Sequence, residues 1–167
     1  FCDSLSYSTK EENLFLNKGP VIWLDQFQLT SDSIRIILNK DLIKMAFLNK
    51  RAFIASEVDS SSFDQISGEN MKAYFHENKL SNIEVIGNGE SIYYVEEEKK
   101  SEAVGVNKII CSNMNIIINN RRIENINFYK EPDAILYPLS QINRNDLFLK
   151  GFKWLNKSDI ENIIQNK

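Results

Sequence analysis

Two cysteines, one histidine, three prolines and six glycines are all that the 167 residues hold of the types that most often mark chemistry or interrupt structure. Cys2 and Cys111 are too few for a disulfide framework. The single imidazole, His76, lies in His76-Glu77-Asn78-Lys79 between two apolar runs. It reads there as a solvated turn residue, and with no ligand spacing around it a zinc site is set aside. Positive charge is not in excess: 20 basic and 23 acidic side chains leave a net charge of -3, so no basic field exists to hold a nucleic-acid backbone. No apolar run approaches the roughly 20 residues of a membrane-spanning helix, and no charged-then-apolar leader precedes a small-residue cleavage site. The reading is a soluble chain, or the soluble part of one, sized for one ordinary domain or one repeat array. What is abundant points to a sheet: 22 Ile, 20 Asn and 43% apolar residues suit packed β structure better than disorder.

The apolar residues recur. Glu69-Asn70-Met71-Lys72-Ala73-Tyr74-Phe75, with Leu80, Ile83, Val85 and Ser91-Ile92-Tyr93-Tyr94 beyond it, returns 43 positions later. There it reads Ser112-Asn113-Met114-Asn115-Ile116-Ile117-Ile118, then Ile123, Ile126, Phe128 and Ala134-Ile135-Leu136-Tyr137. Thirty-seven residues upstream the pattern opens at Asp32-Ser33-Ile34 and, aligned with one residue fewer in the turn, continues through Leu42, Met45, Phe47 and Ile54. A further copy runs from Asp3-Ser4-Leu5 to Pro20-Val21-Ile22-Trp23, so the array starts almost at residue 1, as in a chain cut from something longer. Copies therefore start near 3, 32, 69 and 112, in a β unit over 1–142, followed by a C-terminal segment over 143–167.

Within each copy apolar residues alternate with polar ones, which predicts strands with one wet and one dry face. The first strand stops at Asn39-Lys40-Asp41, His76-Glu77-Asn78-Lys79 or Asn119-Asn120-Arg121-Arg122, each of hairpin-turn composition. The second ends at Asn49-Lys50-Arg51, Gly87-Asn88-Gly89 or Lys130-Glu131-Pro132-Asp133, read as another reversal. Each copy is then a short meander that buries its dry face only by stacking on its neighbours. Cys2 and Cys111 hold equivalent places in the first and fourth copies. Three strand steps of about 4.8 Å put them roughly 14 Å apart, beyond disulfide reach. In the tail, Ser158-Asp159-Ile160-Glu161 matches a capping box, and Ile160, Ile163 and Ile164 give one stripe of a short helix expected over an end of the stack. Leu149-Lys150-Gly151-Phe152-Lys153-Trp154 is expected across the last repeat.

Little here carries catalysis. Glu96-Glu97-Glu98 beside Lys99-Lys100 reads as a solvated charge run, and Gly87-Asn88-Gly89 is followed by neither the Lys-Ser/Thr nor the helix of a phosphate loop. There is no Gly-x-Ser-x-Gly, and Asp64 and Glu69 lack the spacing of a calcium loop. No catalytic site, metal or cofactor is expected. The long dry face is the feature left to explain. Its predicted inward positions are Ile34, Ile36, Leu38, Met45, Phe47 and Ile54; Met71, Ala73, Phe75, Ile83, Val85, Ile92 and Tyr94; and Met114, Ile116, Ile118, Ile126, Phe128, Ile135 and Tyr137. Either two halves of a folded-over sheet close and fill the space with these side chains, or they stay splayed as a trough for long hydrocarbon. In a trough, about 0.8 kcal/mol per buried methylene would let one acyl chain contribute on the order of 10 kcal/mol before ordering costs.

The strand starts Asp32-Ser33-Ile34 and Glu69-Asn70-Met71, with Pro20-Val21-Ile22-Trp23, Gln28-Leu29-Thr30, Ile83-Glu84-Val85-Ile86-Gly87-Asn88 and Val104-Gly105-Val106-Asn107-Lys108, resemble the OstA-like (organic-solvent-tolerance) family. That family is similar to periplasmic lipopolysaccharide-transport proteins. The resemblance implies an all-β, antiparallel, twisted β-jellyroll open along one side. Its interior would shield lipid A acyl chains, and its copies would join each other and other transport components edge to edge as a bridge to the outer membrane. It implies no cofactor, no catalytic residue, and a periplasmic or membrane-associated place. The rival reading is a structural or cell-surface β-repeat module with a closed core and no ligand; a glycan-acting enzyme would need a buried carboxylate pair in a cleft.

Overall fold

Alternating side chains and two-residue polar turns send the chain back and forth as strands. The computed structural model describes residues 1–96, 103–120, 122–156 and 159–160. Among these residues eleven antiparallel strands form one unclosed sheet: β1 (Ser4–Ser8), β2 (Asn13–Asn17), β3 (Val21–Leu24), β4 (Phe27–Thr30), β5 (Ser33–Asn39), β6 (Leu42–Asp59), β7 (Ser62–His76), β8 (Lys79–Glu96), β9 (Ala103–Asn119), β10 (Arg122–Tyr129) and β11 (Asp133–Pro138). The hydrogen-bonded order is β1-β2-β5-β6-β7-β8-β9-β10, with β4 also on β6, β3 on β4 and β11 on β9.

That connectivity folds the sheet over on itself. The four long strands β6 to β9 each pass through both halves, and their ladders break at mid-length, between Asn49 and Ala52, Ser67 and Asn70, and Ile86 and Gly89. These bulges turn each strand through a corner. Layer one holds β1, β2, β5, β10 and the halves 42–49, 70–76, 79–86 and 113–119. Layer two holds β3, β4, β11 and the halves 52–59, 62–67, 89–96 and 103–111.

The corners are where the sequence reading placed reversals. Lys50-Arg51 and Gly87-Asn88 are consecutive left-handed residues inside continuous strands, and Lys18-Gly19 and Lys130-Glu131 have the same conformation between β2 and β3 and between β10 and β11. A left-handed pair re-aims the strand without ending it. The reversals of layer one are the hairpin turns read from the sequence: Lys40-Asp41 and Glu77-Asn78 are left-handed at both positions, the two-residue turn that matches strand twist. Each of two corners is clamped by an asparagine from the next strand. Lys50 N–H donates to Asn70 Oδ1 at 3.0 Å, and Gly87 N–H donates to Asn113 Oδ1 at 3.0 Å. Asn70 and Asn113 are 43 residues apart in the repeat, so the repetition holds at the level of single hydrogen bonds. Gly68 allows the corner to close, since a Cβ there would stand 2.4 Å from Val85 Cγ1.

After a 3-10 turn at Arg144–Leu147, the chain crosses the outer face of layer two as an extended strap. Two glutamines hold it. Gln65 donates to Leu147 O at 2.8 Å and accepts from Leu149 N–H at 2.9 Å; Gln28 donates to Lys153 O at 2.6 Å and accepts from Leu155 N–H at 2.9 Å. Each buried amide thus serves as one unit of a strand backbone for the strap. Leu149, Phe152 and Trp154 pack with Phe53, Phe63, Ala55, Ile92, Tyr94 and Val106. The strap therefore lies across the middle strands of layer two, not on the last repeat alone. Asn156 and Asp159 exchange side chain to backbone bonds at 2.9 and 3.0 Å, a capping box two residues before the Ser158-Glu161 pair read from sequence. Ser158, Glu161, Ile163 and Ile164, and the Glu97-Glu98-Lys99-Lys100 turn, lie outside the described residues.

Candidate functional site

The interior between the layers is built from cross-strand rows. One runs Leu5, Leu16, Ile34, Leu48, Met71, Val85, Met114, Phe128, and the next Tyr7, Leu14, Ile36, Ala46, Ala73, Ile83, Ile116, Ile126. Eight strands contribute to each, and every member is apolar or aromatic. Seven strand steps make a stripe roughly 34 Å long. Layer two faces it with Ile22, Leu29, Ile54, Ile66, Ser91, Ile109 and Ala134 in register.

The middle of this interior is closed. Leu48 and Ile116 are 0% exposed, and Ile34, Met71, Ile83 and Val85 are 1% exposed. Their side chains pack against the opposite layer, so the splayed trough is replaced by a folded-over sheet whose center fills itself. The stripe surfaces at its ends: Leu5 is 60% exposed on β1, and Ile126 and Phe128 are half-buried on β10. It also approaches the surface opposite the corners, at a mouth between the two layers. There a cavity of about 400 Å³ is lined by Asp25 and Phe27 of layer two and by His76, Glu77, Lys79, Leu80, Ser81, Ile118, Asn119 and Asn120 of layer one. Phe27, Leu80 and Ile118 form its apolar floor and belong to the interior cluster.

Of the positions predicted inward, Ile34, Ile54, Met71, Ala73, Ile83, Val85, Met114, Ile116 and Ile118 are in the interior cluster, with Ile36, Phe75, Ile126 and Phe128 packed against it. Leu38 follows a bulge and is partly buried. Others face outward. Met45 and Phe47 lie opposite Tyr74 and Lys72 on the wet face, with the Arg35 guanidinium 4.6 Å from the Phe47 ring centroid. Ala46 and Leu48 take the inward places. The cause is the one-residue gap placed in the turn of the second copy: the copies align without it, and a one-residue slip exchanges the two faces. Ile92 and Tyr94 point outward beneath the strap, and Ile135 is 47% exposed: counted from the inward Val85 and Phe128, the period of two runs through these corners unchanged and puts Ser91 and Ala134 inside. Their apolarity fits the strap, which the sequence reading had not placed there. Glutamine at 28 and 65, each with a phenylalanine one or two places before it, was the signal available for it.

Cys2 and Cys111 are free thiols. Burial pushes the Cys111 thiol up from its ordinary 9.0, and its Sγ donates to Asn113 O at 3.1 Å. Among the described residues no helix is long and apolar enough to cross a membrane.

A twisted antiparallel jellyroll, folded over an apolar stripe and unclosed at both edges, is the architecture of LptA-type proteins. One solved structure that it matches is LptH, the LptA homologous periplasmic component of the conserved lipopolysaccharide transport device from Pseudomonas aeruginosa. The TM-score is 0.63 at 11% identity, over 83% of this chain and 93% of that one. At this identity the likeness is one of fold. No family model matches the chain, and no curated protein matches it in sequence.

Proposed function

We propose that this chain is a periplasmic carrier of lipopolysaccharide that shields lipid A acyl chains against its apolar stripe and forms part of a bridge to the outer membrane. The observation that carries the reading is the pair of unbroken apolar rows, which run the length of layer one and emerge at both edge strands and beside the mouth. A closed structural core has no need to bring its stripe to the surface at each end. The fold shared with a lipopolysaccharide-transport component supports the same reading. Because the center is packed, hydrocarbon enters by parting the layers at the mouth, with the corners as the hinge line, and displaces contacts between Met71, Val85, Ile83 and their counterparts. Sugars and phosphates stay in water. Among the described residues the terminal strands β1 and β10 each have one hydrogen-bonded neighbour, so a second copy or another transport component extends the sheet, and with it the stripe, by strand addition.

The test is site-specific photo-crosslinking to lipopolysaccharide. A benzophenone side chain at the inward positions Phe75 and Phe128 is expected to label lipid, while the same group at the outward Phe47 and Ile135 is not. Equal labeling at all four positions, or none at Phe75 and Phe128, would exclude the interior as the binding surface.

A further inference from the structure

A second cleft, about 340 Å³, opens on the rim of layer two. It is lined by Trp23 and Trp154 together with Asp25, Glu57 and Asp59, beside Gln26 and Val58. Both tryptophans of the chain are here, one from β3 and one from the strap. Trp154 is fixed in place: its ring lies 5.0 Å from that of Phe63, and the backbone on either side of it is held by Gln28. Among the described residues no lysine or arginine lines the cleft. Hydrogen bonds from Ser61 and Ser62 hold the Asp59 carboxyl below its ordinary value. Indole faces attract organic cations, and carboxylates around them add to that attraction.

Asp25 also lines the mouth cavity, so the two hollows adjoin. The basic groups lining the mouth, His76 and Lys79, are carried by layer one, which leaves the layer-two side negative. We propose that the Trp23–Trp154 cleft binds the ammonium group of an amphiphile whose hydrocarbon enters the adjoining mouth. The inference rests on the carrier reading and adds to it a cationic group on the cargo, beside the sugars and phosphates that stay in water. An ammonium on a lipid, rather than a lysine of a partner protein, is the occupant that uses both hollows at once.

The two tryptophans report on their own cleft. The intact chain is titrated, below the micelle concentration, with decylphosphocholine, decyl maltoside and choline, and binding is read by indole fluorescence and calorimetry. Decylphosphocholine is expected to bind about fivefold tighter than decyl maltoside, within the range of a single cation–π contact. Choline competes only weakly. Trp23→Leu, at a position already partly exposed, and the pair Glu57→Gln with Asp59→Asn are expected to abolish the preference without changing decyl maltoside binding. Equal affinity for the two decyl compounds overturns the ammonium cleft and leaves the carrier reading standing. Binding of choline and decylphosphocholine alike, with decyl maltoside and lipopolysaccharide not bound, removes the carrier reading and with it the amphiphile as occupant. A short lysine peptide that binds more tightly than decylphosphocholine overturns the lipid occupant in favour of a protein one.

Discussion

Asn70 and Asn113 show how much a single side chain does in this fold. Each satisfies a backbone N–H that the left-handed corner leaves without a ladder partner, at Lys50 and Gly87. Replacing either by Ala is expected to cost about 1 kcal/mol, and the double variant about the sum, because the two corners share no hydrogen-bond partner. Urea denaturation midpoints read this directly; a neutral double variant would mean that water replaces both bonds. Titratable groups act in the opposite direction at high pH. Burial raises the Cys111 thiol from its ordinary 9.0 and the Tyr94 phenol from its ordinary 10.0. The folded chain thus keeps protons that the unfolded chain releases. Their contribution is fully present below those unfolded values and is lost as pH rises through them and the higher folded ones. Denaturation midpoints are expected to fall from about pH 9 upward, and Cys111→Ala should delay the onset. A midpoint that is flat to pH 10.5 would contradict this. The equivalence of Asn70 and Asn113 was visible in the sequence as a repeated strand start. Their task was not, because a clamp requires a corner and the corner residues read as turns.

At the scale of elements, the strap gives the sharpest test. Gln65 is 0% exposed and meets the strap through both ends of its amide. Gln65→Glu keeps the shape but removes the donor, setting a carboxylate oxygen against Leu147 O. A loss of about 1–3 kcal/mol from strap docking is expected. Hydrogen exchange should speed up at Leu149 and protease should cut within 139–156, while amides of the central strands keep their protection. Unchanged exchange at Leu149 would show that the aromatic contacts alone hold the strap. The period of two made the strands and the hairpins at Lys40-Asp41 and Glu77-Asn78 legible, because alternation and turn chemistry are local. Corner bulges are not local in that sense. In β7 and β9 the corner shifts the alternation, with Ile66 and Met71 and Ile109 and Met114 inward five places apart, whereas in β8 it does not, so Ser91, six places past Val85, faces inward and Ile92 does not. Ile92 and Tyr94 looked like core because they are buried, but by a segment that lies some fifty residues further along the chain and was assigned elsewhere.

For the whole molecule, the proposed carrier function requires the two layers to separate. The packing that closes the center is hydrophobic, roughly 1.5–3 kcal/mol for each fully buried Leu, Ile or Met, and an acyl chain between the layers would replace those contacts with equivalent ones. Opening is therefore nearly balanced when hydrocarbon is present and unfavorable when it is not, which suits a carrier that must close behind its cargo. The corners are continuous backbone, so the gap can widen only at the mouth. This makes the mouth the place to block. In a Cys2→Ser, Cys111→Ala background, Asp25→Cys and Lys79→Cys place one thiol on each layer at the 400 Å³ cavity. Joining them with a short, reducible bismaleimide is expected to abolish lipopolysaccharide capture while leaving the circular dichroism spectrum unchanged, and cleaving the linker should restore capture. The same two substitutions without the linker serve as the control for lost side chains. If the stapled protein captures lipid as well as the cleaved one, acyl chains are held somewhere other than between the layers, and the stripe is a core like any other.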